Sequence, residues 1–222
     1  TALIATSFGI VLMDIEKMEI KETYFIGAGG SSVNVLSVLE DDQNIYAGTT
    51  CCILQCPLSL NPSDYHNWTT LKSSPVGNYT SLCKFNNSLI AIYSQLNQES
   101  ARDKDSVFYY KGGGWKNLNP TLASSYYSLE NTTNTLLVSS NHYGLVYDTS
   151  FANTITLNSY WLFINPRDII QTSDNTYWIA DFLGGLIKYQ GSKSDFLSPN
   201  GPGFPRAAVM ASQGNTLWAV PG

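Results

Sequence analysis

A short hairpin that keeps returning constrains this chain more than any other feature. TYWIADFLGGLIKYQ, Thr176 to Gln190, reads as a strand, a glycine-bearing turn and a second strand. Its aromatic and branched side chains suit a pleated, half-buried surface, and glycine supplies turn angles that other residues avoid. Versions of it recur as ALIATSFGIVLMDI from Ala2, NIYAGTTCCILQC from Asn44, TLLVSSNHYGLVYD from Thr135 and TLWAVPG from Thr216. A further copy, SLIAIYS from Ser88, is parted from VFYYKGGGW by the polar insert QLNQESARDKD, Gln95 to Asp105. Successive copies begin roughly 40 to 47 residues apart, the length of a four-stranded propeller blade. No long apolar run has helical spacing. The pattern predicts an all-β protein, a β-propeller of four-stranded antiparallel blades with about five blades present, residues 1–222 forming one propeller domain.

The blades are expected at Thr1 to about Ile26 (without an innermost strand), from Val35, from Tyr79 to Asn117, from Tyr126 to Leu157 and from Arg167 to Leu197, with an unfinished sixth after SPNGPGFPR. The chain opens and closes in the second strand of a blade, so it reads as a piece of a longer protein with unpaired edges.

Composition removes several function classes. Charged residues make up 13% and the net charge is −5, with no basic stripe to neutralise phosphates, so nucleic acid is not an expected partner. No apolar run is long enough to cross a bilayer as a helix. Cys51, Cys52, Cys56 and Cys83 lack the spaced pairs of a zinc site, and His66 and His142 stand in different repeats. The cysteines read as small buried or turn residues, with a Cys56–Cys83 disulfide as the alternative, and Cys52 aligns with Gly9, Gly144 and Gly185. Asp41-Asp42 reads as a solvated turn, since no calcium-ligand spacing follows. The GAGGSS loop at Gly27 precedes a strand rather than a helix, so it is read as a connection and not a phosphate cradle. No cofactor is called for.

Laying the repeats over one another brings Val35, Tyr79, Tyr126, Arg167 and Arg206 to the start of the innermost strands. Tyr79, Tyr126, Arg167 and Arg206 are the candidate binding residues: tyrosines beside guanidinium groups suit a glycan or a carboxylate- or phosphate-bearing ligand. The plainer reading is that the arginines tie adjacent loops. A catalytic site needs convergent acid, base or nucleophile. Asp168 with Asp181 is the one pair to weigh for glycoside cleavage, and Asp181 reads more simply as a turn residue. The chain is expected not to be an enzyme. Trp115, Trp178 and Trp218 are read as core between blades.

The segments ATSFGIVLMDIEKMEIKETYFIG, NIYAGTT, HNWTTL, YWIADFLGGLIKY, LSPNGP and LWAVPG resemble, in order, the N-terminal propeller region of the PorZ family, surface components of the Bacteroidetes type IX secretion system. The WIAD and GGLIKY unit is also similar to repeats of periplasmic hybrid two-component sensors. The PorZ resemblance implies a larger protein with a C-terminal β-domain, at the cell surface or in the periplasm. It also implies protein partners that include a sortase-like protease, and a part in delivering anionic lipopolysaccharide. The sensor resemblance implies a glycan-sensing ectodomain instead.

Overall fold

The computed structural model describes residues 1–95, 105–118, 124–158, 164–191, 193–197, 207–213 and 216–221. Among them the chain is strand and turn, with two short 3-10 turns at Ala28–Gly30 and Tyr65–Asn67. It divides into two compact units, Thr1–Pro120 and Thr121–Gly222.

The first unit holds three antiparallel meanders. β1 (Ala2–Thr6), β2 (Gly9–Asp14) and β3 (Glu19–Tyr24) form the first. The second is β4 (Val35–Glu40), β5 (Asn44–Thr49), β6 (Ile53–Pro57) and the short β7 (Thr69–Thr70). The third is β8 (Gly77–Phe85), β9 (Ser88–Gln95), β10 (Ser106–Lys111) and β11 (Gly114–Asn117). In the second unit, β12 (Tyr126–Asn131), β13 (Leu136–Ser140), β14 (Gly144–Tyr147) and β15 (Asn153–Leu157) make one sheet. β16 (Pro166–Gln171), β17 (Tyr177–Asp181), β18 (Gly185–Gln190) and β19 (Lys193–Leu197) make the next, and β20 (Ala207–Gln213) pairs with β21 (Thr216–Pro221). These are propeller blades, and the first lacks an innermost strand as the sequence predicts. The segment 96–104 of the polar insert lies outside the described residues; Tyr93 of β9 pairs with Ser106 of β10.

The turns explain why the meanders break where they do. The second strand ends on a residue whose side-chain oxygen folds back onto the turn: Thr6, Thr49, Ser140 or Asp181. Thr49 Oγ1 accepts from the N–H groups of Cys51 and Cys52, and Asp181 Oδ1 accepts from those of Leu183 and Gly184. Short oxygen-bearing side chains offer the backbone this alternative to continuing the ladder. The paired residues at these turns are Thr6 with Gly9 and Asp181 with Gly185, while Thr49 bonds across to Cys52 and Ser140 to Tyr143. Cys52 therefore matches Gly9, Tyr143 and Gly185. Gly144 falls one position further on, opposite Ser139, which corrects the alignment made from the sequence.

The core lies between sheets. Leu137, Val146 and Leu157 of one blade meet Ile169, Tyr177, Ile179 and Ile187 of the next. Tyr46 and Ile53 likewise meet Tyr79, Leu82, Leu89 and Ala91. Trp115 packs against the latter cluster and Trp178 against Ala180 and Met210; the Trp218 side chain lies outside what is described. Each fully buried aliphatic side chain contributes about 1.5–3 kcal/mol of transfer free energy.

Polar bonds join neighbouring blades at both ends of the innermost strands. Near the start, Ser37 Oγ donates to the Tyr79 carbonyl at 3.0 Å, Ser139 Oγ donates to that of Arg167 at 3.1 Å, and the Met210 N–H donates to Asp168. Near the finish, Lys84 pairs with Asp41 at 2.5 Å and Thr135 Oγ1 donates to Gln171 at 2.6 Å. Asp41 is thus a turn residue but not a solvated one. Burial pushes its carboxyl up, yet Lys84 and the N–H groups of Gln43 and Asn44 together hold it below the usual range.

Since Leu137 is 1% exposed between two sheets, Leu137→Ala should destabilise the second unit by about 2–5 kcal/mol. Urea unfolding followed by tryptophan fluorescence checks this, and a loss below about 1 kcal/mol would contradict interblade packing as the source of stability.

Candidate functional site

The innermost strands share a bulge at their start. The register slips between Val35 and Ser37, Tyr79 and Ser81, Tyr126 and Ser128, Pro166 and Asp168, and Ala207 and Val209. The extra residues are Leu36, Thr80, Tyr127, Arg167 and Ala208. Pro166, not Arg167, is therefore the counterpart of Tyr79 and Tyr126, so the fifth blade begins one residue earlier than expected. A one-residue slip sends a side chain to the opposite face.

That slip decides where the candidate residues sit. Tyr79 is 0% exposed, with its hydroxyl donating to the Pro75 carbonyl at 2.7 Å and its ring against Tyr93 and Trp115. Burial, then the neighbouring Tyr93 hydroxyl, pushes its phenol well above the ordinary range. Tyr126 is also buried. Arg206 lies outside the described residues. Arg167, on the bulge, is half-buried and directed elsewhere.

The Arg167 guanidinium lies 3.9 Å from the centre of the Tyr127 ring and 4.8 Å from that of Phe182. One ring comes from the preceding blade and the other from the turn after β17, so the side chain bridges two blades. Such stacking contributes about 0.5–2 kcal/mol, depending on desolvation. The Tyr127 hydroxyl reaches Asn141 at 3.4 Å, and Asn141 in turn lies 3.2 Å from His142 Nε2. Among the described residues, no carboxylate pairs with Arg167, and its Nε is buried without a hydrogen-bond partner; the Oδ1 of Asn165 is buried and unpaired as well. A guanidinium offers five donors in a planar fork that matches carboxylate and phosphate. Sequence reasoning found Arg167 but missed Tyr127 and Phe182. The signal for Tyr127 was the polar residue that follows the bulge: aligning Ser37, Ser81, Ser128 and Asp168 sets Arg167 level with Tyr127.

The two weighed carboxylates are both committed to backbone. Asp181 is fully buried, accepting from the Leu183, Gly184 and Asn165 N–H groups. Asp168 accepts from the Ile169 and Met210 N–H groups, and its burial pushes the carboxyl up against those bonds. Glu130, across from it on β12, is raised to about 7, chiefly by withdrawal from bulk water and secondly by the Asp168 charge. Water still reaches the Glu130 side chain, so that withdrawal is partial.

In the first unit a cleft of about 430 Å³ opens beside the turn after β5. Leu54, Tyr65, His66 and Trp68 line it together with Cys51 and Cys52. The His66 ring stacks on Tyr65 at 3.9 Å, with Nδ1 2.8 Å from Asp64. The Trp68 indole N–H donates to the Pro62 carbonyl, fixing the cleft wall. Cys56 and Cys83 are both buried and not joined by a disulfide, so the disulfide alternative for them does not hold.

Residues 1–69 match the family model described as TSS9, PorZ, N-terminal beta-propeller domain. The match covers less than a third of the chain, and over those residues the chain resembles the PorZ propeller. Among solved structures, the extracellular domain of the one-component system BT4673 from B. thetaiotaomicron is similar over 99% of this chain, with a TM-score of 0.73 and 10% identity. This chain spans 30% of that one. Streptogramin B lyase is similar over 97% of this chain and 70% of its own, with a TM-score of 0.66 and 12% identity. PorZ of Porphyromonas gingivalis aligns over 100% of this chain and 43% of its own, at 15% identity and a TM-score of 0.45. The likeness to the first two is one of fold. A comparison with curated proteins finds no match.

The electrostatics of this propeller are testable at Glu130. Its folded value of about 7 lies above the ordinary 4.5, so the folded state holds a proton that the unfolded chain releases between those values. Stability from this group is therefore greatest below about pH 4.5 and declines as pH rises to 7. Glu130→Gln should raise the melting temperature by up to about 4 °C at pH 8 and by nothing measurable at pH 4.5. Equal shifts at both pH values would contradict the assignment.

Proposed function

We propose that this chain is a non-catalytic platform of a type IX secretion or attachment complex at the outer-membrane surface or in the periplasm. There it engages protein partners and helps present anionic lipopolysaccharide to a sortase-like enzyme. The family match over residues 1–69 carries this reading. Arg167 supports its anionic side, as a guanidinium held between two rings with no carboxylate partner among the described residues. Electrostatic attraction and a planar donor fork favour phosphate or uronate groups on a glycan. The described residues include no helix long and apolar enough to cross a membrane, and this reading asks for none.

A second reading is a ligand-sensing ectodomain. The likeness to the BT4673 extracellular domain over almost the entire chain favours it; another structure of that domain, described as part of a hybrid two-component system, has a TM-score of 0.71. The remaining sequence of the gene product separates the two: a small C-terminal β-domain supports the secretion reading, and a transmembrane helix with a kinase supports the sensor.

Binding of the purified chain to immobilised anionic lipopolysaccharide tests the role of Arg167. Arg167→Ala should weaken binding by about tenfold or more, Arg167→Lys should recover only part of it, and added salt should weaken the wild type. Unchanged affinity in a folded Arg167→Ala chain would remove the anionic-ligand reading while leaving the family assignment intact.

A further inference from the structure

The turn after β5 carries chemistry that its counterparts in other blades lack. Where the matched turns have Phe8-Gly9, His142-Tyr143 and Gly184-Gly185, this one has Cys51-Cys52. The repeat does not need sulfur there, because the turn is already held by Thr49 Oγ1, which accepts from both cysteine N–H groups, and by the Gly77 N–H bonded to the Cys51 carbonyl. The two Sγ atoms lie 2.9 Å apart. Cys51 is exposed, Cys52 is partly covered, and both line the cleft with Tyr65, His66 and Trp68.

We propose that Cys51 and Cys52 form a vicinal dithiol that undergoes thiol–disulfide exchange with a small-molecule or protein disulfide entering the cleft, closing a reversible eight-membered disulfide ring. The exposed Cys51, as thiolate, attacks one sulfur of the incoming disulfide. The S–S bond of the reagent breaks, and its first half leaves as a thiolate that takes up a proton. Cys52 then loses its proton and attacks Cys51 Sγ, expelling the second half as thiol. Two protein thiols are oxidised by two electrons, and one disulfide is reduced to two thiols.

Geometry sets the character of this ring. Its sulfurs need close only from 2.9 Å to about 2.05 Å. The peptide between the cysteines is trans, and a trans peptide holds adjacent Cα atoms about 3.8 Å apart. That is shorter than the roughly 4.4–6.8 Å span of ordinary disulfides, so the ring is strained and readily reduced. Burial, then the adjoining Cys51 thiol, pushes Cys52 up to about 11, so Cys52 keeps its proton until the closing attack. Oxidation also removes both S–H groups near Thr49, leaving a less polar wall beside Leu54 and Trp68.

The test treats the reduced, full chain with oxidised glutathione, then an alkylating agent, and maps the products by tandem mass spectrometry. The expected product is a peptide carrying Cys51 and Cys52 that has lost two hydrogens and resists alkylation. Cys52→Ser should instead stop at the glutathione adduct on Cys51. In a second arm, the reduced chain should capture phenylarsine oxide at one arsenic per chain, with affinity falling by about a hundredfold or more in Cys51→Ser. A wild-type chain that halts at the Cys51 adduct, forms Cys51-linked dimers, or is alkylated at both positions would overturn the proposal. So would arsenical affinity that Cys51→Ser leaves unchanged.

Discussion

Strand β13 is buried along its entire length, Leu136 to Ser140, β5 and β17 are nearly so, and β9 is buried over its first five residues. A strand with apolar groups on both sides of the pleat must be covered on both, and one meander cannot do this alone. Covering has to come from the adjacent sheet, and that sheet is subject to the same demand. The clusters that pair Leu137 with Ile179, or Tyr46 with Leu89, are this constraint made visible. Everything polar in the fold works around it: hydroxyls and carboxylates sit at strand ends, where the chain leaves the buried zone and its backbone needs partners.

Much of this was legible in the sequence, because hairpins and turns are local. The spacing of the copies marked out the successive four-stranded meanders, and residues such as Asp181 showed where strands stop. What could not be read was the bulge. Two residues facing one leave no trace in an apolar alternation, so Tyr79, Tyr126 and Arg167 seemed equivalent when only the first two are. Asp41 was misjudged for a related reason. Its partner Lys84 lies in the next blade, and no local pattern announces a bond across that distance.

The two chemically distinctive places differ in kind. Arg167 is a preformed group: two aromatic rings fix it, and among the described residues no carboxylate pairs with it. The cysteine pair is a reactive group, held by a hydroxyl that would secure the turn whatever side chains it carried. Each belongs to a separate unit.

The bulged position has an evolutionary consequence. Val35, Tyr79, Tyr126 and Pro166 are all buried, whereas Leu36, Thr80, Tyr127 and Arg167 just after them are not. Among the described residues the innermost strands thus share a slot, at the same level of the sheet, whose side chain is not fully buried. Aliphatic, hydroxyl, phenol and guanidinium groups already occupy it. A lineage that substitutes along that row changes what the surface presents, and at Tyr127 and Arg167 it also changes a contact between blades.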